Sequence, residues 1–97
     1  MRIKPTIGRR VWYWPSSFDK GRLGNKPTTV MQVADSSQPC DAGIAYVHSD
    51  NMINITVADH NGNMHSRTSV LLLSTDDPKP QDSAYCTWMD YQLQQAK

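Results

Sequence analysis

The stretch Ile7-Gly8-Arg9-Arg10-Val11-Trp12-Tyr13-Trp14-Pro15 decides the fold. It gathers three of the chain's eight aromatic residues and two arginines into one predicted strand. Aromatic and β-branched side chains suit a pleated, half-buried surface. Pro15 ends the strand, because proline has no N–H to give to a ladder. Ile7, Val11 and Tyr13 fall on one side; Arg10, Trp12 and Trp14 fall on the other. A domain this small is expected to build its core on the first set and its most reactive surface on the second.

Working outward, the chain of 97 residues is expected to form a single domain, 1–97. A hydrophobic fraction of 38% suffices for a compact core if strands place it on one face. The formal charge of +1 supplies no field to draw in a nucleic-acid polymer. Basic residues are denser from Arg2 to Lys26, and acidic ones gather near Asp76 and Asp77. That asymmetry either biases an anionic partner toward the first half or only solubilises the surface. The polar start lacks the apolar run of a secretory signal, and no stretch approaches the roughly 18 apolar residues of a membrane span. The expected compartment is therefore a cytosol, with no membrane partner, where Cys40 and Cys86 are thiols.

Residues 1–6 read as a polar lead-in and 16–41 as a long irregular loop. Within that loop, Thr29-Val30-Met31-Gln32-Val33-Ala34 suits a short strand or a helical turn that caps the core. Gly43 to His48 is the next predicted strand. Met52 to Asp59 has the clearest period of two, with Ile53, Ile55 and Val57 inward. His60-Asn61-Gly62-Asn63 follows, and Asn-Gly between strand patterns predicts a hairpin. Met64 to Val70 then pairs back, with Met64, Ser66, Thr68 and Val70 on one side. Leu71-Leu72-Leu73 enters the core, and the proline-rich stretch to Ser83 is a turn region. Ala84 to Met89 is a last strand, and 90–97 is a short helix or tail. The predicted fold class is all-β: a small SH3-like, partly open barrel of about five strands, in which the first and last strands meet. Its expected core comprises Tyr13, Ile44 or Val47, Ile55, Val57, Val70, Leu72 and Trp88.

Most motifs that would carry chemistry fail on spacing. Asp59-x-Asn61-x-Asn63 opens like a calcium loop, but Met64 stands where glycine is needed and Val70 where the bidentate glutamate is needed. His48, His60 and His65 lack the Cys-x-x-Cys or His-Glu-x-x-His companions of a zinc site. No phosphate loop, nucleophile elbow or triad spacing occurs. Ser16, Ser17, Asp19 and His48 make only the kind of set that any globular protein permits. No enzyme activity, metal or cofactor is expected. The aromatic-basic strand remains. Arg10, Trp12 and Trp14, with Arg9 beside them, suit a ring-stacking anion site or the hot spot of a protein interface. Alternatively, the indoles pack under the long loop and the arginines are solvated.

Several segments in order carry a resemblance: Ile7-Gly8-Arg9-x-Val11-Trp12-Tyr13, Ala45-x-Val47-His48-Ser49-Asp50, Asn54-x-Thr56-Val57, Asn61-Gly62-Asn63, Asp76-Asp77-Pro78-Lys79-Pro80 and Cys86-x-Trp88-Met89-x-Tyr91-Gln92. The chain resembles the small tailed-phage proteins grouped under coliphage N-four gene forty-nine and Shigella phage Sf-six gene sixty-six. Where that pattern has proline before Tyr91, this chain has Asp90. The resemblance implies a phage or prophage accessory protein in the cytoplasm of a bacterial host, with no catalytic residues to transfer. Small phage barrels also resemble, in size and fold class only, sponges of immune second messengers. The expected function is a non-enzymatic binding module that acts on a host factor. Its partner would be a host protein, or a small anionic nucleotide sequestered between subunits of a homo-oligomer. The alternative is a minor virion or assembly component.

Overall fold

A computed structural model of the chain describes residues 3–16, 31–34, 37–74, 77–80 and 83–95. Most of the expected 16–41 loop, including Thr29 and Val30, lies outside these residues. The strands are β1 (Arg10–Trp14), β2 (Cys40–Ser49), β3 (Met52–Ala58), β4 (Met64–Leu73) and β5 (Tyr85–Thr87), followed by the helix α1 (Asp90–Gln95). They form a closed barrel in the order β1-β2-β3-β4-β5. β5 pairs antiparallel with β1 and parallel with β4, which seals the ring. The architecture is the small SH3-like barrel expected, except that the ladder is closed rather than partly open. Three residues of β5 suffice for this, because each β5 position has a partner on both neighbouring strands.

The first strand begins later than its composition predicts. Ile7 and Gly8 form a turn, Gly8 has φ 93°, and Ile7 is 68% exposed, so Ile7 leaves the inward set. Gly8 N–H still donates to Ile44 O (2.8 Å) and Ile44 N–H to Arg9 O (2.9 Å), so the contact with β2 extends beyond β1 itself. β2 is longer than expected, starting at Cys40. The segment Met31–Val33 is neither strand nor helix, yet Met31 is buried in the core.

β3 keeps the expected alternation, with Ile53, Ile55 and Val57 buried. The turn after it is a hairpin. Gly62 N–H donates to Asp59 O and Asp59 N–H to Asn63 O, both at 2.9 Å, and Gly62 holds φ 87°. This is the short hairpin that a glycine in the left-handed region permits.

β4 departs from the expected phase. Ile53 pairs with Val70 but Ile55 pairs with Arg67, so β4 carries one extra residue. Ser69, at φ 54°, sits at this bulge. An added residue turns every later side chain to the other face. Met64, Ser66 and Thr68 are therefore exposed while Val70 and Leu72 are buried, which corrects the expectation that the four share a side.

The core contains every expected position: Tyr13, Ile44, Ile55, Val57, Val70, Leu72 and Trp88. Val47 is only partly buried, so Ile44 is the one of that pair that fills the interior. Val11, Met31, Cys40, Ala42, Ile53 and Cys86 complete it. Tyr13 registers opposite Cys40 on one side and opposite Cys86 on the other. The two cysteines thus stand two strand spacings apart, roughly 10 Å, beyond the ~7 Å Cα separation that a disulfide spans. Both are buried, and neither is in a disulfide. Burial pushes the Cys86 thiol far up, which keeps it protonated and unreactive.

Asp90–Gln95 form α1 rather than a tail. Gln92 is buried; its Oε1 accepts from Met89 N–H (2.8 Å) and its Nε2 donates to Arg10 O (2.9 Å). The first contact is the back-reaching half of a capping box. The second fastens the helix to β1.

Candidate functional site

On β1, alternation sends Val11 and Tyr13 inward and leaves Trp12 and Trp14 half-buried with Arg10 exposed. Register then decides their neighbours. Trp12 lies between Asp41 of β2 and Thr87 of β5, and Trp14 lies opposite Tyr85. Trp12 meets Trp14 edge to face, with ring centroids 6.4 Å apart at 87°. Trp14 is near-parallel to Tyr85, at 6.4 Å and 22°. Both lie within the range of favourable aromatic pairs. Trp14 Nε1–H donates to Thr87 Oγ1 (3.0 Å), so that indole's only polar atom is already satisfied. The outcome is an aromatic row, Trp12-Trp14-Tyr85, across the outside of the β1–β5 seam.

The two arginines do not act together. Arg10 Nε donates to Asp41 Oδ1 (3.2 Å) and its Nη2 to Asp41 Oδ2, a two-pronged ion pair across β1 and β2. Both side chains are about half exposed, at 48% and 58%. The Arg10 guanidinium lies over Gly43, the residue opposite it, where an added Cβ would stand 2.6 Å from Nη1. Arg9 points elsewhere: its guanidinium lies 5.4 Å from the ring centroid of the buried Trp88, a cation–π distance. So the structure brings Arg10, Trp12 and Trp14 together and separates Arg9 from them. Sequence reasoning missed Tyr85, Thr87 and Asp41 as parts of this surface. The alternation of Tyr85 with Cys86 was the only signal for the first two, and it needed the β1–β5 register to become useful. Nothing in the local sequence marks Asp41.

A second polar centre lies at the base of the β3–β4 hairpin. Asp59 is 5% exposed and accepts four hydrogen bonds. Asn61 and Asn63 N–H donate to Oδ1 at 3.0 and 2.9 Å. Gln32 N–H reaches Oδ2 at 3.0 Å and His65 Nε2 reaches it at 2.9 Å. Burial alone would raise the pKa of this carboxyl. The bonds from Gln32, His65, Asn63 and Asn61 outweigh burial and hold it well below the usual carboxylate range. His60 adds to the same junction: Nδ1 accepts from Ala34 N–H (2.9 Å), Nε2 faces Pro39 O (3.3 Å), and the His60 backbone N–H donates to Gln32 O (2.9 Å). His60 and His65 thus bind different groups instead of converging. The residues that resemble the start of a calcium loop fold around their own Asp59, whose oxygens face protein donors. Among the described residues no group of three or more His, Cys, Asp or Glu side chains is placed to hold a metal ion.

Among the described residues, no helix is long and apolar enough to cross a membrane. Compared with protein-family models, curated proteins and solved structures, the chain matches none of them.

Proposed function

We propose that this barrel is a non-enzymatic binding module that docks a protein partner on the outer face of the β1–β5 seam. The observation that supports it is the row Trp12-Trp14-Tyr85: three large rings, already locked against one another, beside an ion pair at the rim. Rigid aromatic groups with a polar border lose little conformational freedom on binding, which suits an interface hot spot. Sequestration of an anionic nucleotide at this place is the weaker reading. The fork of Arg10 already holds the Asp41 carboxylate, so a phosphate would have to displace it. The setting of a phage accessory factor acting on a host protein in a bacterial cytoplasm rests on the sequence resemblance alone.

The test compares the intact chain with Trp12→Glu in affinity purification from the bacterial host, followed by reconstitution with the purified candidate. One stoichiometric partner, bound by the parent chain and released by Trp12→Glu with the barrel still folded, is the expected result. Retention by the variant would overturn the reading. A thermal shift with adenine-containing cyclic nucleotides, lost in both Arg10→Ala and Trp12→Ala, would instead establish the nucleotide alternative.

A further inference from the structure

Asn61 is the one asparagine of the chain that precedes a glycine; Asn25 precedes Lys26, Asn51 and Asn63 precede Met52 and Met64, and Asn54 precedes Ile55. The pair Asn61-Gly62 closes the β3–β4 hairpin. Gly62 has φ 87°, and a Cβ built on it would meet nothing within 4 Å, so the space around it is open. Asn61 is exposed, and among the described residues its side-chain amide has no protein partner. That amide can rotate toward the Gly62 nitrogen, where residue 62 has no side chain to bar the approach. Asn54 is the opposite case: its Oδ1 is held by Ser69 N–H at 2.8 Å, and a branched residue follows it.

What restrains the Gly62 nitrogen is the turn itself. Gly62 N–H donates to Asp59 O and Asp59 N–H to Asn63 O, both at 2.9 Å. Asp59 Oδ1 gathers the backbone N–H groups of Asn61 and Asn63, while Oδ2 accepts from Gln32 N–H and pairs with His65. The turn leaves its closed shape only when several of these bonds open together, so the Asp59 cluster sets how often the Gly62 nitrogen is available.

We propose that Asn61 is a self-modification site, converted by deamidation to aspartate and isoaspartate, and that the Asp59 cluster is the latch that gates it. In the opened turn the Gly62 nitrogen gives its proton to solvent and attacks Asn61 Cγ. The N–Cγ bond forms, the Cγ–Nδ2 bond breaks, and Nδ2 leaves as ammonia with a proton returned from solvent. Water then opens the cyclic imide. Opening at Cγ leaves aspartate; opening at the backbone carbonyl routes the chain through Cβ and Cγ and lengthens it by a backbone atom. Overall, water is consumed and ammonia released, with no change of oxidation state. Either product acts back on the latch. It places a new carboxylate two positions after Asp59, whose own carboxylate is buried. Isoaspartate also shifts the N–H groups of Gly62 and Asn63 relative to Asp59 O and Oδ1, and hydrogen bonds weaken steeply with such misalignment. Because Asp59 Oδ2 also holds Gln32, the loosening passes to the segment Met31–Ala34, whose Met31 lies in the core. A transient opening of the hairpin thus becomes permanent.

The experiment ages the full chain in neutral buffer and follows each asparagine by peptide mapping with mass spectrometry. Acid forms, isoaspartate among them, should accumulate at position 61 ahead of every other asparagine. In urea below the unfolding midpoint, the rate at position 61 should rise in step with hydrogen exchange at the Gly62 amide. Asp59→Ala should raise that rate by about tenfold or more; if this variant does not fold, the urea series on the parent chain decides. Aged parent should exchange the Gln32 amide faster than equally aged Asn61→Gln, whose longer side chain must close a larger ring. An unmodified Asn61, modification spread evenly over the asparagines, or a rate at position 61 indifferent to urea overturns the proposal. Unchanged Gln32 exchange in isoaspartate-bearing protein overturns the action on the latch.

Discussion

Two carboxylates in this barrel each meet a basic side chain, and their surroundings give them opposite roles. Asp41 grips Arg10 with both oxygens, yet both side chains are about half exposed. Asp59 shares one oxygen with His65, and its side chain is 1% exposed. Water competes for the first pair at every point and screens it, so its net worth is small. The second carboxylate has exchanged water for protein donors, three of them backbone amides. Removing it strands those amides at a part-buried junction, which costs more than the surface pair is worth. Counting ion pairs would rank the two alike; burial and the identity of the donors separate them.

That contrast breaks most easily at Asp59. Asp59→Ala should destabilise the fold by about 3 kcal/mol or more, seen as a lower urea midpoint, and should release the segment Met31–Ala34 to hydrogen exchange. A loss under about 1 kcal/mol would place Asp59 in the same class as Asp41. The next effect is on acid stability. The folded-state carboxyl of Asp59 is held below its unfolded value of about 3.9. Its contribution is therefore fully present above about pH 4 and is lost as pH falls through the folded value. Urea midpoints measured from neutral pH downward should fall more steeply in the parent than in Asp59→Ala, and parallel curves would contradict the assignment. The smallest effect belongs to the surface pair. Arg10→Ala and Asp41→Ala should each change stability by no more than about 1 kcal/mol, and a double-mutant cycle should give a coupling that shrinks in high salt. A large, salt-insensitive coupling would mean that the pair is shielded by a partner or a second copy.

Legibility varied from one strand to the next. β3 was readable because Ile53, Ile55 and Val57 alternate with polar residues, and a half-buried strand needs nothing more. The hairpin was readable because Gly62 takes a conformation suited to glycine. β4 was misread because its bulge falls on Ser69, a residue with no preference for the left-handed region, so the change of face left no mark in the local pattern. Ile7 was placed inward on the same reasoning, and Gly8 turned it out. At the candidate surface, Trp12 and Trp14 were found from alternation alone. Their companions Asp41, Tyr85 and Thr87 come from strands distant in the chain and join them only through pairing.

By itself, the sequence determined the all-β class, the order of the strands and most inward positions, since these follow from side-chain periodicity and turn chemistry within a few residues. Tertiary structure alone decided that the ring closes, that Arg10 is spent on Asp41 while Arg9 covers Trp88, and that Asp59 ties a hairpin to a segment 27 positions earlier. The physical reason is range. Periodicity acts between neighbours along the chain, whereas a hydrogen bond or ion pair across a barrel depends on register, and register is set only when every strand is in place.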